Sequence, residues 1–161
     1  MAYDAFLDVE GVEGESTRKG FEKKIELLSF NLNVSNPTTI GSGGGGGSGK
    51  ASMAPVSLTK YTDAASPAIF QACCKGTHYP KAKITLHKAG GDEAVDYLVL
   101  EFEKCYISSY SQSGSSGGDD RSIDQISMDF GKVTFTYTPQ AETGSKGSPQ
   151  VASWDVMAVS M

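Results

Sequence analysis

Residues Gly44 to Gly49 followed by Lys50 fit G-x-x-x-x-G-K, the spacing of a loop that cradles nucleotide phosphates. That chemistry needs a hydroxyl on the next residue to hold magnesium, and a helix whose N-terminus receives the phosphate. Here the next residue is Ala51, and Ala51-Ser52-Met53-Ala54-Pro55 leads into a strand pattern. Both requirements fail, and the pattern argues against nucleotide binding. His78 and His87 are the only imidazole bases. His87 falls on the polar side of an alternating run beside Lys83 and Thr85. His78 follows Gly76, a helix stop, where it can cap the last carbonyls. No G-x-S-x-G elbow exists to carry a nucleophilic serine. The pair Asp119-Asp120 stands in SGSSGGDDRS, a turn-rich stretch that offers none of the burial acid–base work requires. Cys73, Cys74 and Cys105 are odd in number, with two adjacent, which suits neither a disulfide framework nor paired zinc ligands. The expectation is a protein with no catalytic residues, no cofactor and no metal.

The elements that would position any site follow from the hydrophobic period. Most of the chain alternates at period two, the signature of half-buried strands. Tyr3–Val9 sets Ala5, Leu7 and Val9 on one side. Ile25–Val34 sets Leu28, Phe30, Leu32 and Val34 against Ser29, Asn31 and Asn33. Pro55–Tyr61 carries Val56 and Leu58 on one face. Lys81–Lys88 and Ala94–Tyr106 flank Ala89-Gly90-Gly91-Asp92, which reads as a hairpin turn. Ser122–Thr138 reads as one long strand with a bulge at Gly131, and Val151–Val159 closes the chain with Trp154 on its apolar face. One segment breaks the rhythm. SPAIFQACCKG at 66–76 offers Ser66 as N-cap, Pro67 in the first turn and Gly76 past the end, with Ile69, Phe70 and Cys73 on one helical face. The expected fold is mainly β: an antiparallel two-sheet barrel or sandwich, one short helix near 66–75 and a long glycine-rich loop, all in a single domain over residues 1–161.

Composition narrows the partners. The net charge is −5 with both signs mixed along the chain, unlike the basic face of a nucleic-acid binder. The one basic concentration, Lys75, Lys81, Lys83 and Lys88, alternates with apolar residues as the solvated side of a strand does. No stretch approaches the ~20 apolar residues of a membrane span. The N-terminus MAYDAFLDVEG lacks the basic start and apolar run of a signal peptide, so synthesis in the cytoplasm is expected, and any export by a route without a cleaved signal.

Residues 41–49 carry no side chain able to anchor them to their own core. Ordering the run costs on the order of 10 kcal/mol in backbone entropy. Either it stays a spacer, or a partner orders it through main-chain hydrogen bonds; the balance of these arguments favours contact with another subunit.

Several stretches, in order, resemble the Hcp (haemolysin-coregulated protein) family: MAYDAFLDVEGVEGES with Gly14-Glu15-Ser16 at its centre, GGGGGSGK, LTKYTDAASP, ACCKGTHYPKAKITLHKAGG, SSGGDDRSIDQISMDF and VTFTYTPQ. The resemblance implies a tube subunit of type VI secretion systems: a β-barrel with one helix, closing as a homohexamer whose rings stack with copies of themselves. A contractile sheath would surround the tube, a VgrG-type spike protein would cap it, and secreted effectors would travel in its lumen, with no nucleic acid and no membrane insertion. The family likeness points to Ser29, Asn31 and Asn33 as lumen residues, Asn31 above all. It points to Gly43, Gly45, Gly47 and Lys50 in one loop, and Ser115, Asp119 and Arg121 in another, as ring and tube contacts. No toxin domain is expected after Trp154. The alternative is a receptor or chaperone ring for effectors with no stable tube role.

Overall fold

The computed structural model describes residues 3–37, 50–88, 95–118, 121–140 and 146–157. Eleven strands and one helix are present among them: β1 Asp4–Val9, β2 Ile25–Leu27, β3 Ser29–Asn31, β4 Val34–Ser35, β5 Ser52–Met53, β6 Val56–Tyr61, α1 Ser66–Lys75, β7 His78–Lys88, β8 Val95–Ser113, β9 Ile123–Asp129, β10 Lys132–Tyr137 and β11 Gln150–Asp155. Every strand pair is antiparallel, and the main sheet runs β2-β1-β7-β8-β9-β6-β3, with β10 and β11 added beside the first half of β8. The expected mainly β architecture with one helix stands.

The two ends of that order are one stretch of chain. Residues 25–27 pair with β1, and residues 29–31 pair with β6. Between them Leu28 donates its N–H to the Thr59 carbonyl at 2.7 Å. The sheet thereby closes on itself, and closure leaves neither end of that strand order as an unpaired edge of the kind that invites aggregation. Ile25, Val56, Leu58, Ile84, Leu100 and Phe102 fill its interior, each at most 1% exposed.

Several expectations change here. The run 25–34 is not one strand. It breaks at Leu28, which is 48% exposed, and Val34 is 57% exposed in a separate small pairing with β5. The break lets one segment serve both seams. The run 122–138 is likewise two strands. β9 and β10 follow the same side of β8 but part at Phe130–Gly131, opposite Lys104, whose φ of 55° marks an irregularity in β8 itself. β8 also runs past Tyr106, the expected end of its strand, to Ser113. The hairpin turn at 89–92 lies outside the described residues, although β7 and β8 pair as the hairpin requires.

Helix α1 begins with Ala65 as N-cap and no side-chain cap, because the Ser66 hydroxyl is engaged elsewhere. It ends as expected at Gly76, in the left-handed conformation at φ 65°, where glycine carries no Cβ penalty. The Gly76 and Thr77 N–H groups satisfy the final carbonyls. His78 therefore does not cap the helix; it opens β7, with its ring 5.4 Å from that of Tyr106.

Candidate functional site

The register of β3, β6, β9 and the end of β8 aligns two rows of side chains on the outer face of the closed sheet. One row reads Asn31, Ser57, Ser127, Ser109. The next reads Ser29, Thr59, Gln125, Ser111. All are exposed or half-exposed, and none is charged. Strands about 4.8 Å apart make each row roughly 14 Å wide. The inward partners on these strands, Val56, Leu58, Ile126 and Met128, are buried. Period-two alternation thus sorts apolar residues to the core and small polar ones to the face. Charges appear only at the margins. Asp129 continues the β9 alternation, accepts a hydrogen bond from the Tyr106 hydroxyl at 2.8 Å and thereby raises that phenol's pKa. At the other end the Arg121 guanidinium sits 5.0 Å from the centre of the Tyr61 ring.

The other half of the sheet has the opposite character. Across β11, β10, β8 and β7 the register sets Asp155, Lys132, Glu103 and Lys81 side by side. The neighbouring row places Glu101, Lys83 and Asp8 together, and Lys24 bonds Asp8 at 2.9 Å. Alternating signs on adjacent strands support one another at a few tenths of a kcal/mol to about 1 kcal/mol each. All of these residues except Asp155 line a concavity of about 810 Å³.

A third feature is the β10–β11 hairpin. Its inner face carries Val133 into the core, but Phe135 and Tyr137, farther along, are 42% and 44% exposed. Val151 on β11 is 64% exposed, and among the described residues β11 pairs with β10 alone. An open strand edge beside half-exposed aromatic rings is a surface that ordinarily becomes covered.

The most concentrated ionic chemistry is sealed. Lys60 and Asp124 have no exposed side-chain area and lie 3.0 Å apart. The Lys60 ammonium also donates to Asp63 at 2.7 Å, to Ser66 at 2.8 Å and to the Tyr61 carbonyl at 3.1 Å. Asp124 further accepts from Ser66 at 2.5 Å and Thr62 at 2.8 Å. Burial alone raises the Asp124 carboxyl, but the Ser66, Lys60 and Thr62 hydrogen bonds and the lysine charge outweigh it and hold the group low. No substrate reaches this cluster; it ties β6, α1 and β9 together. His87, expected on a polar side, is 8% exposed. A register shift after Leu86 and the Phe21 ring cover it, and its Nδ1 meets Asp96 at 2.6 Å. Among the described residues no cluster of His, Cys, Asp or Glu has the arrangement of a metal site.

Of the sequence-derived candidates, Ser29 and Asn31 stand together on the uncharged face. Asn33 is exposed beyond the end of β3, its carbonyl accepting from Ala54. Lys50 is exposed just before β5, and Ser115 and Arg121 are both exposed in the connection between β8 and β9. Gly43, Gly45, Gly47 and Asp119 lie outside the described residues. The six further members of the two rows escaped the sequence reading. Their signal was present in Ser57-x-Thr59, Gln125-x-Ser127 and Ser109-x-Ser111, alternating positions free of charge.

The comparisons with known proteins agree with one another. Residues 6–137 match the family described as type VI secretion system effector, Hcp. The chain is 38% identical over 157 residues to protein Hcp1 of Pseudomonas aeruginosa, covering 97% of this chain and 96% of that one. A solved type six secretion system protein superposes with a TM-score of 0.93 at 31% identity, over 99% of both chains. Hcp1 from Salmonella typhimurium superposes with a TM-score of 0.81 at 32% identity, over 98% of this chain and 97% of that one.

Proposed function

This chain belongs to the Hcp family of type VI secretion proteins, and from that premise we propose that it is a structural, non-enzymatic subunit whose copies close into six-membered rings. The rings stack into a tube that carries effectors in its lumen, inside a contractile sheath and beneath a VgrG-type spike. The chain is made in the cytoplasm and leaves the cell with the tube rather than through a cleaved signal; among the described residues no helix is long and apolar enough to cross a membrane.

The observation that carries this reading is the β10–β11 hairpin, with its open edge and its half-exposed Phe135 and Tyr137. A contact between unlike surfaces of identical subunits, repeated around an axis, covers such an edge on every copy at once. The uncharged face holding Ser29 and Asn31 then lines the central channel, and Lys50, Ser115 and Arg121 belong to the surfaces between neighbours, together with Gly43, Gly45, Gly47 and Asp119. Sedimentation and negative-stain imaging of the purified protein test this. The expected species has six times the mass of one chain and a central hole; a monomer at high concentration overturns the proposal.

A further inference from the structure

We propose that the uncharged face selects cargo proteins that present uncharged polar surface, and that it holds them by hydrogen bonds whose strength is nearly independent of ionic strength. The inference rests on the reading that this face lines a channel, and it adds the chemical class of what binds there.

The two rows offer hydroxyls and carboxamides only. Each hydroxyl both donates and accepts, and each amide does the same with separate atoms. The rows can therefore satisfy a donor or an acceptor at any point by rotating one short side chain. They carry no charge that could neutralise an ion. A carboxylate or ammonium pressed against them loses water and meets no counter-charge, at a cost well above that of an unmatched neutral group. The neutrality is local to this face. The chain carries 14 basic and 19 acidic residues, and the other half of the same sheet places one at nearly every matching position, in the rows through Glu101 and Glu103. Charge complementarity thus fits a partner whose docking surface is rich in serine, threonine, asparagine, glutamine and main-chain amide.

Introducing a charge of either sign at the centre of the face provides the test. Gln125→Glu and Gln125→Lys, with Gln125→Asn as the conservative variant, replace the native chain in cells with an active secretion apparatus. Exported proteins are measured by mass spectrometry and normalised to the chain itself in the medium; thermal midpoints of the purified variants show that each one folds. Both charged variants are expected to lower the same cargo by about tenfold, equivalent to about 1.4 kcal/mol, with Gln125→Asn close to native. Cargo identified in this way should stay on purified native protein equally well from about 50 mM to about 500 mM salt, across which charge attraction is largely screened out. Opposite responses to the two signs, or release as salt rises, overturns hydrogen-bond selection while leaving the channel reading intact. If no exported protein responds to either charge or to Ser57→Trp, the channel reading itself fails and takes this inference with it.

Discussion

Lys60 sits on the core-facing side of β6, in line with Val56 and Leu58, and is wholly buried. Alternation in Pro55–Tyr61 places it there, and Asp63, three residues on, supplies one counter-charge at 2.7 Å, but nothing nearby in sequence announces the fully buried one. The answer, Asp124, lies on β9, far along the chain, and becomes a neighbour only when β6 pairs with β9. Removing one partner of a buried pair leaves the other charge without compensation. Lys60→Met should therefore lower the unfolding free energy by about 3–5 kcal/mol in denaturant titrations. The pH dependence has a definite sign. The Asp124 carboxyl is held below its ordinary value of 3.8 in the folded chain, so on acidification the unfolded chain takes up that proton first. Its stabilisation is complete above the unfolded value and is lost as pH falls through the folded one. Between about pH 6 and about pH 2, Asp124→Asn should show a shallower loss of stability than the native chain. The cysteines separate just as clearly. Burial pushes the Cys105 thiol up to about 11, whereas Cys74 is exposed on α1. The thiolate is the reacting form, so iodoacetamide near neutral pH should label Cys74 in the folded protein and Cys105 only after unfolding. Peptide mass spectrometry showing early Cys105 labelling would contradict the burial described here.

At the scale of elements, Gly14 shows why the centre of VEGVEGES admits no side chain. Its N–H donates to the Lys23 carbonyl at 2.7 Å, Ser16 donates to the Lys24 carbonyl, and the Lys23 N–H returns to Ser16. A Cβ on Gly14 would lie 2.5 Å from the Lys24 carbonyl oxygen and 2.8 Å from the Ile25 Cα. Both are backbone atoms and cannot swing aside. Gly14→Ala should cost about 1–3 kcal/mol and speed amide exchange at Ser16 and Lys23, which hydrogen-exchange measurements would register. Strand existence was legible here from period two alone, and the helix from Pro67 and Gly76. What stayed hidden were the breaks. Leu28 interrupts its alternating run without any composition signal, and Gly131, which reads as a bulge, marks a full break between two strands; each break serves a partner strand elsewhere: Thr59 for Leu28, and Glu103, which accepts the Gly131 N–H at 2.9 Å. Likewise, Ser66 looked like a cap, but its hydroxyl has stronger partners in Lys60 and Asp124 than in the first turn of α1.

For the whole molecule, the β10–β11 hairpin divides what the single chain needs from what an assembly needs. Phe135 and Tyr137 are not in the buried core, while Val133 on the same strand is. Paired Phe135→Asp and Tyr137→Asp substitutions should leave the melting transition cooperative and shift sedimentation from ring to monomer. Rings that persist would show that other surfaces carry the contact. The family was readable in the sequence because its motifs follow in order; alternation put Ser29 and Asn31 on one polar strand side, and the family likeness singled them out. The rest of the uncharged face was not readable, since it is assembled by register from four strands whose pairing is decided by the fold.

One consequence follows from the segment 25–31, whose two halves pair with opposite ends of the sheet order. Its second seam needs β6, and β6 is held on its other side by β9, residues 123–129. A chain emerging from the ribosome therefore cannot complete its barrel until about four-fifths of it has been made. Contacts so distant along the polymer form slowly. Closure of this barrel is therefore a late event, and a growing chain has no finished barrel to offer a sister copy until residues 123–129 are in place.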